Sequence, residues 1–253
     1  MAGIEPKSPT ELAKMRKAGR VVAETLRLIA DIAEPGVTTE QLDRAAADYM
    51  EQEGAKAAFK GYRGFPAHIC TSLNEEVVHG IPGPRQLEAG DLLKADVGAV
   101  WDGYYADAAV TVAIGEITEA ARRLMQVTRE SLNAGIAAVR AGVRVSRISA
   151  AVQQVVEAHG FRVVTDYTGH GIGRALHEEP KVPNFVASRL AQRDVVLPAG
   201  ATVAIEPMVN EGTERTQVLG NGWTVVTRDR KLSAHFEHTV AVGETGAVIL
   251  TLP

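Results

Sequence analysis

The 253-residue sequence has one cysteine, Cys70, which excludes an intramolecular disulfide framework and fits a reducing compartment. It has no apolar run near the ~18 to 20 residues of a membrane-spanning helix. The opening "MAGIEPKSPTELAKMRKAGR" lacks the apolar stretch of a secretory signal, so the expected location is cytoplasmic, with no membrane partner. Positive charge is not in excess either. A net charge of -4 and a pI of about 6.0 argue against bulk attraction to nucleic acid, and no specific nucleic-acid partner is expected. No Ser/Gly/Pro-rich linker interrupts the chain, which reads as one domain over residues 1–253 with a short N-terminal segment, 1–8. The rest is ordinary globular composition, 45% hydrophobic and 23% charged, with ample length to bury a core.

Helical punctuation is clear. Ser8 as N-cap, Pro9 at the first helical position and Glu11 as the reaching-back residue predict a capped helix that runs to Pro35-Gly36. Leu12, Met15, Val22, Leu26 and Ile29 recur along it at helical spacing. Further helices fit "TTEQLDRAAADYMEQEG", "TEAARRLMQVTRESLNAGIAAV" and "RVSRISAAVQQVVEAHG", with strand- and loop-like sequence between and after them. Residues 35–54 align without gaps on 141–160, an offset of 106. Two amphipathic helices with like punctuation would give such a match by chance. An internally duplicated α+β fold, with a site between its halves, would give it by descent.

The stretch "ADVGAVWDGYYADAAV" reads as two strands around an Asp102-Gly103 turn. A two-residue turn would set Asp96 opposite Ala109 and place Asp107 on the same face, one diagonal step away. Two carboxylates on one face read either as an exposed polar face or as a buried pair that a cation would hold together. The neighbours Leu92, Leu93, Val97, Val100 and Val110 favour burial.

Elsewhere, "TDYTGHGIGRALHEEP" surrounds His170 with Gly169, Gly171 and Gly173, and His177 follows. Glycines at that density let backbone approach closely, and neutral imidazole is the commonest metal ligand. A structural loop or a phosphate loop would use the same glycines, although no Lys-Ser/Thr follows and the pattern is not GxGxxG. Glu206 ends the strand-like "ATVAI", and Glu237 lies inside "LSAHFEHTVAV". A carboxylate within a strand is expensive to bury unless paired or metal-bound. Four carboxylates and one imidazole suit Mn, Fe, Co or Zn as divalent ions rather than a thiolate zinc site, and two such ions would balance the four negative charges. Spacing alone does not bring the five together.

These residues sit in longer motifs: "GYRGFP", "TSLNEEVVHGIP", "ADVGAVWDGYYADAA", "GHGIGRALHEEP", "AIEPMVN" and "GWTVVTRDRKLSAHFEHT". Together, in this order and over nearly the whole chain, they resemble the type I methionine aminopeptidases, in the short bacterial form. Those enzymes have the pita-bread fold shared with creatinase, prolidase and aminopeptidase P: an α+β fold of pseudo-two-fold duplicated halves, with antiparallel sheets covered by helices. The resemblance implies a single catalytic domain that removes the N-terminal methionine of nascent polypeptides, preferring a small second residue. It implies two divalent metal ions (Co, Mn, Fe or Zn) on Asp96, Asp107, His170, Glu206 and Glu237, with Asp107 and Glu237 shared. A metal-bridging hydroxide would attack the first peptide bond, with Glu206 handling its proton. His79 would lie near the scissile amide and His177 against the substrate carbonyl. Tyr62, Phe65, Cys70, His79, His177 and Trp223 map to the substrate pocket.

Some positions depart from that pattern. Phe59 is bulky, Phe65 stands where tyrosine is frequent, Leu176 replaces an aromatic, and Lys94 replaces asparagine or serine. These leave the five ligands intact and bear on the pocket's shape. For Cys70 a small buried core residue is the plain alternative. Lys14, Arg16, Lys17 and Arg20 read as the solvated face of the first helix, or as a transient ribosome contact for an enzyme acting on nascent chains. A monomer is expected. The rivals are another dinuclear peptidase of the same fold, such as a prolidase, and a metal-free binding module, which would have lost ligands.

Overall fold

Ser8 caps the first helix, α1 (Pro9–Ile32): its hydroxyl accepts from Glu11 N, while the Glu11 side chain takes the Ser8 N–H. The computed structural model describes residues 3–186 and 194–253. Thr38 and Gln41 form the same reciprocal cap on α2 (Thr39–Gln52). Short strands follow at β1 (Lys56–Ala57), β2 (Cys70–Leu73) and β3 (Glu76–Val78), then the long pair β4 (Leu92–Trp101) and β5 (Tyr104–Ala113). The second half opens with α3 (Glu119–Ala137) and α4 (Val145–Ala158), followed by β6 (Arg162–Val163), β7 (Gly169–Gly171) and β8 (Glu178–Val182). Then come β9 (Thr202–Ile205), β10 (Met208–Asn210), β11 (Thr216–Val218) and β12 (Val225–Thr227). The last strands are β13 (Ser233–His235), β14 (Glu237–Val242) and β15 (Ala247–Ile249).

The repeat is structural. The bounds of α2 and α4 keep the offset of 106 at both ends. Equivalent hydrogen bonds precede them, from glycines 106 apart to leucines 110 apart: Gly36 N donates to Leu87 O and Gly142 N to Leu197 O, each at 2.9 Å. In return Leu87 N donates to Val37 O and Leu197 N to Val143 O. Gly36 (φ 94°) and Gly142 (φ 79°) both turn the chain through left-handed backbone that glycine adopts without penalty.

A nine-stranded antiparallel sheet joins the halves in the order β1-β4-β5-β14-β9-β7-β8, with β2 pairing to β4 and β15 to β14. Leu93, Ala95, Val97 and Ala99 of β4, with Ala106 and Ala108 of β5, bury against Val22, Leu26 and Ile29 of α1 and Leu42 and Met50 of α2. Val203 and Ile205 of β9 and Val240 of β14 bury against Leu132 of α3 and Ile148 and Val152 of α4. Each helix pair thus covers one half of one face of the sheet. Because side chains alternate, the even-numbered residues of β4 and the odd-numbered ones of β5 face the other side. Two three-stranded sheets, β13-β10-β6 and β11-β12-β3, complete the architecture. Among the described residues no helix is long and apolar enough to cross a membrane.

Candidate metal centre

The strand order brings the five sequence-predicted ligands together. Asp96 comes from β4, Asp107 from β5 and Glu237 from the start of β14; Glu206 directly follows β9, and His170 is the middle of β7. These are five successive strands of the sheet. Trp101 pairs with Tyr104 across a turn whose Asp102 and Gly103 both have positive φ, which twists with the strands. That register sets Asp96 opposite Ala109, and Ala109 in turn faces Glu237 on β14. Asp107 therefore lies one diagonal step from both. Donor atoms of Asp107, His170 and Glu237 lie within 4.8 Å of one another. His170 Nε2 stands 3.6 Å from Glu206 Oε1 and 4.0 Å from Asp107 Oδ2.

The charges are left without protein partners. Asp96 Oδ1, Asp107 Oδ1 and Glu237 Oε1 are buried and have no hydrogen-bond partner among the described residues. Buried acceptors are almost always satisfied, so orphaned oxygens converging from adjacent strands need a ligand. Burial pushes all four carboxyls above the ordinary carboxylate range. Neighbouring carboxylates add to this: Glu237 and Asp96 act on Asp107, Asp107 and Asp96 on Glu206, and Glu206 and Asp96 on Glu237. For Asp96 a hydrogen bond with Asp107 works against the burial effect. Burial, reinforced by His177, lowers His170 to about 4, so its imidazole is neutral at pH 7. Its Nδ1 lies 2.9 Å from Gly171 O, which fixes the proton there and leaves Nε2 as a lone-pair donor. Anionic oxygens and a neutral, oriented imidazole fit divalent cations.

The ligands open on a cavity of about 260 Å³. Tyr62, Phe65, Cys70, His79, His177 and Trp223, the sequence-predicted substrate residues, all line it, as do Phe59 and Leu176. The Tyr62 and His177 rings stack at 5.3 Å, and Phe65 meets Trp223 edge-on at 5.1 Å. His79 has left-handed backbone (φ 61°) and presents its ring to Tyr167 and Trp223 at 5.6 and 6.3 Å. Strain of this kind persists where surrounding structure imposes it. Burial, helped by His177, lowers His79 to about 4; burial and then Arg63 lower His177. Cys70 is buried, and burial raises its thiol well above the usual value.

Other features carried no such signal in the sequence. Tyr167 and Arg63 also line the cavity; both lie inside quoted motifs but have ordinary residue types for a surface loop. Lys94 is 1% exposed and donates to Asn74 O at 2.7 Å, which explains how a lysine sits on the ligand face two residues from Asp96. His235 is buried beside the centre, 4.0 Å from Glu237 Oε2. The glycines of "GHGIG" have a packing role: a Cβ at Gly169 would strike Ala204 O, and one at Gly171 would strike Glu179 O. That replaces the phosphate-loop alternative.

Comparison with known proteins agrees with this geometry. Residues 13–244 match the model of metallopeptidase family M24. The chain is 49% identical to a methionine aminopeptidase of Clostridium acetobutylicum, over 97% of this chain and 98% of that one. It superposes on a methionine aminopeptidase of Thermotoga maritima with a TM-score of 0.96 at 44% identity, covering 99% of this chain and 100% of the other. A prolidase from Pyrococcus furiosus shares the fold alone: TM-score 0.79 at 20% identity, covering 98% of this chain and 65% of that one. The fold is the pita-bread fold expected from the sequence.

Proposed function

The chain belongs to metallopeptidase family M24 and, within it, to the methionine aminopeptidases, and from that premise we propose how its residues remove an N-terminal methionine. Asp96, Asp107, His170, Glu206 and Glu237 hold two divalent ions, for which Co, Mn, Fe and Zn all suit the donors. Asp107 and Glu237 would be the carboxylates within reach of both ions, since β5 and β14 lie between β4 on one side and β9 and β7 on the other. The charge of the four carboxylates supports two ions rather than one. When bound, such ions lower the pKa of a coordinated water and polarise a carbonyl.

The protein's own groups do the rest. The methionine side chain occupies the cavity among Tyr62, Phe65, Cys70 and Trp223, which excludes water from the scissile bond. Its free amine faces the carboxylates, which restricts the reaction to chain ends. His177, kept neutral, donates an imidazole N–H to the substrate carbonyl oxygen and strengthens that bond as charge develops there. His79, also neutral, hydrogen-bonds near the scissile amide. Glu206 takes up a proton on its carboxylate and returns one to the leaving amine. The small cavity supports preference for a small second residue, and nascent chains, which begin with methionine, are the proposed substrates.

The observation that carries this reading is the convergence of five donors from successive strands onto one cavity of about 260 Å³ with an aromatic wall. Metal-reconstituted protein is expected to cleave Met-Ala-Ser, to cleave Met-Lys-Ser poorly, and to leave Xaa-Pro peptides intact. Cleavage of Xaa-Pro without Met-Ala-Ser would overturn it.

A further inference from the structure

We propose that Lys7 is a positioning residue for His177: through an ion pair between its buried ammonium and the half-buried Glu178 it fixes the turn that aims the imidazole into the cavity. The proposal rests on the reading of His177 as the donor to the substrate carbonyl. Nothing in the sequence distinguishes Lys7 from an exposed lysine near a chain end, yet its side chain is 4% exposed. Its Nζ donates to Glu178 Oε2 at 2.9 Å and to Glu5 O at 3.0 Å. Its backbone is tied down as well, because Lys7 N donates to Gly200 O at 2.7 Å and Gly200 N to Val242 O at 2.8 Å. The ammonium is therefore held from the end of β14, part of the rigid sheet.

Glu178 passes that constraint to the turn. Its other oxygen, Oε1, accepts from Arg174 N at 2.6 Å and Ala175 N at 3.1 Å. The turn starts at Gly173, whose carbonyl accepts from Tyr105 N at 2.8 Å. A Cβ at Gly173 would collide with Lys7 Cε, so the lysine stem fills the space that the glycine leaves. On the outer side Glu11 accepts from Arg174 Nη2 and from the Tyr104 hydroxyl, both at 2.8 Å. His177 directly precedes Glu178. It stands exposed to the cavity between Tyr62 and His170, at ring distances of 5.3 and 4.1 Å. No hydrogen bond from its own ring holds it among the described residues, so its aim depends on the turn.

Removing the lysine leaves the half-buried Glu178 carboxylate without its cationic partner, which loosens the turn that this carboxylate organises. Here the loosened element carries a group that acts most strongly in the transition state. Misplacing such a group by about 1 Å can cost ~10²-fold in rate while leaving ground-state binding largely alone. Lys7→Met is expected to lower kcat about 10- to 100-fold with KM within about 3-fold, at unchanged metal content.

A double-mutant cycle with His177→Ala separates positioning from general support. His177→Ala alone should lower kcat by about 10² to 10³, the usual effect of deleting an oxyanion donor. Added to it, Lys7→Met should lower kcat by no more than about 2-fold, because the group it positions is gone. Equal losses in both backgrounds would overturn the proposal and leave the reading of His177 standing. Unchanged kcat in His177→Ala alone would overturn both. If Lys7→Met does not fold, Glu178→Gln breaks the same pair without removing any heavy atom and should show the same His177-dependent loss; an additive loss there overturns the proposal too.

Discussion

Asp107 is 5% exposed, donates its backbone N–H to Thr239 Oγ1 at 2.9 Å, and receives the same hydroxyl on its carbonyl at 2.8 Å. Its main chain is thus satisfied by β14 while one side-chain oxygen stays orphaned. Asp107→Asn keeps the shape and removes the charge. It is expected to abolish peptide cleavage and reduce bound metal, with the thermal midpoint of the metal-free protein unchanged or raised, since a charge-repelled group is gone; full activity with stoichiometric metal would refute the ligand assignment. The clustered acids were legible as candidate ligands because carboxylates inside strand-like sequence are conspicuous, and the resemblance supplied the full set of five. Lys94 and Lys7 were not, since burial of a lysine depends on distant carbonyls and carboxylates such as Asn74 O and Glu178 that no local pattern reports.

Phe59 gains its meaning from strand β4. Its bulk bears on the pocket's shape, and its ring lies over Gly98, where a Cβ would come within 2.6 Å of Phe59 Cε1 and 3.1 Å of Ala58 Cβ. Gly98 in turn pairs with Asp107 across the hairpin, so the ring is a wall of the cavity held by a missing side chain. Gly98→Ala should destabilise by about 1 to 3 kcal/mol through overpacking, read from urea unfolding, and Phe59→Leu in the same chain should restore most of it. Elements with their own punctuation were readable: the four helices fall within a residue or two of their expected limits, and the hairpin register is the one that Asp102-Gly103 dictates. The pairing of β14 between β5 and β9 was not, because nothing in "EHTVAV" names its neighbours.

Burial of so many like charges makes the stability of the protein depend on what fills the centre. A carboxyl whose pKa is raised on folding binds more protons folded than unfolded, so stability falls as pH rises from the ordinary carboxylate range through the folded value. Buried His79, His170, His235 and His238, lowered by burial to about 4 or about 3, act oppositely, but only below the unfolded value of about 6.5. Above it Lys94, lowered by burial to about 7, opposes with a single proton. Asp96, raised by burial to about 7, and the carboxyls of Asp107, Glu206 and Glu237, raised well above the ordinary carboxylate range, act against it. Metal-stripped protein should therefore melt at a lower temperature at pH 8 than at pH 6.5. Saturating Mn or Co should remove or reverse that slope, because cation binding displaces the protons. A flat profile in both states would show that the acids do not share one buried site.

The order of strands around the centre has a temporal consequence. Asp96 and Glu237 stand far apart along the chain yet face the same alanine, Ala109, from opposite sides. Pairings between distant segments are the slow ones to form, since the intervening loop must close before any contact rewards it. No cation can find its full set of donors on a half-assembled chain, and the first hairpin offers only two acids. Any cation that needs all five donors must therefore wait until both halves of the sheet have met.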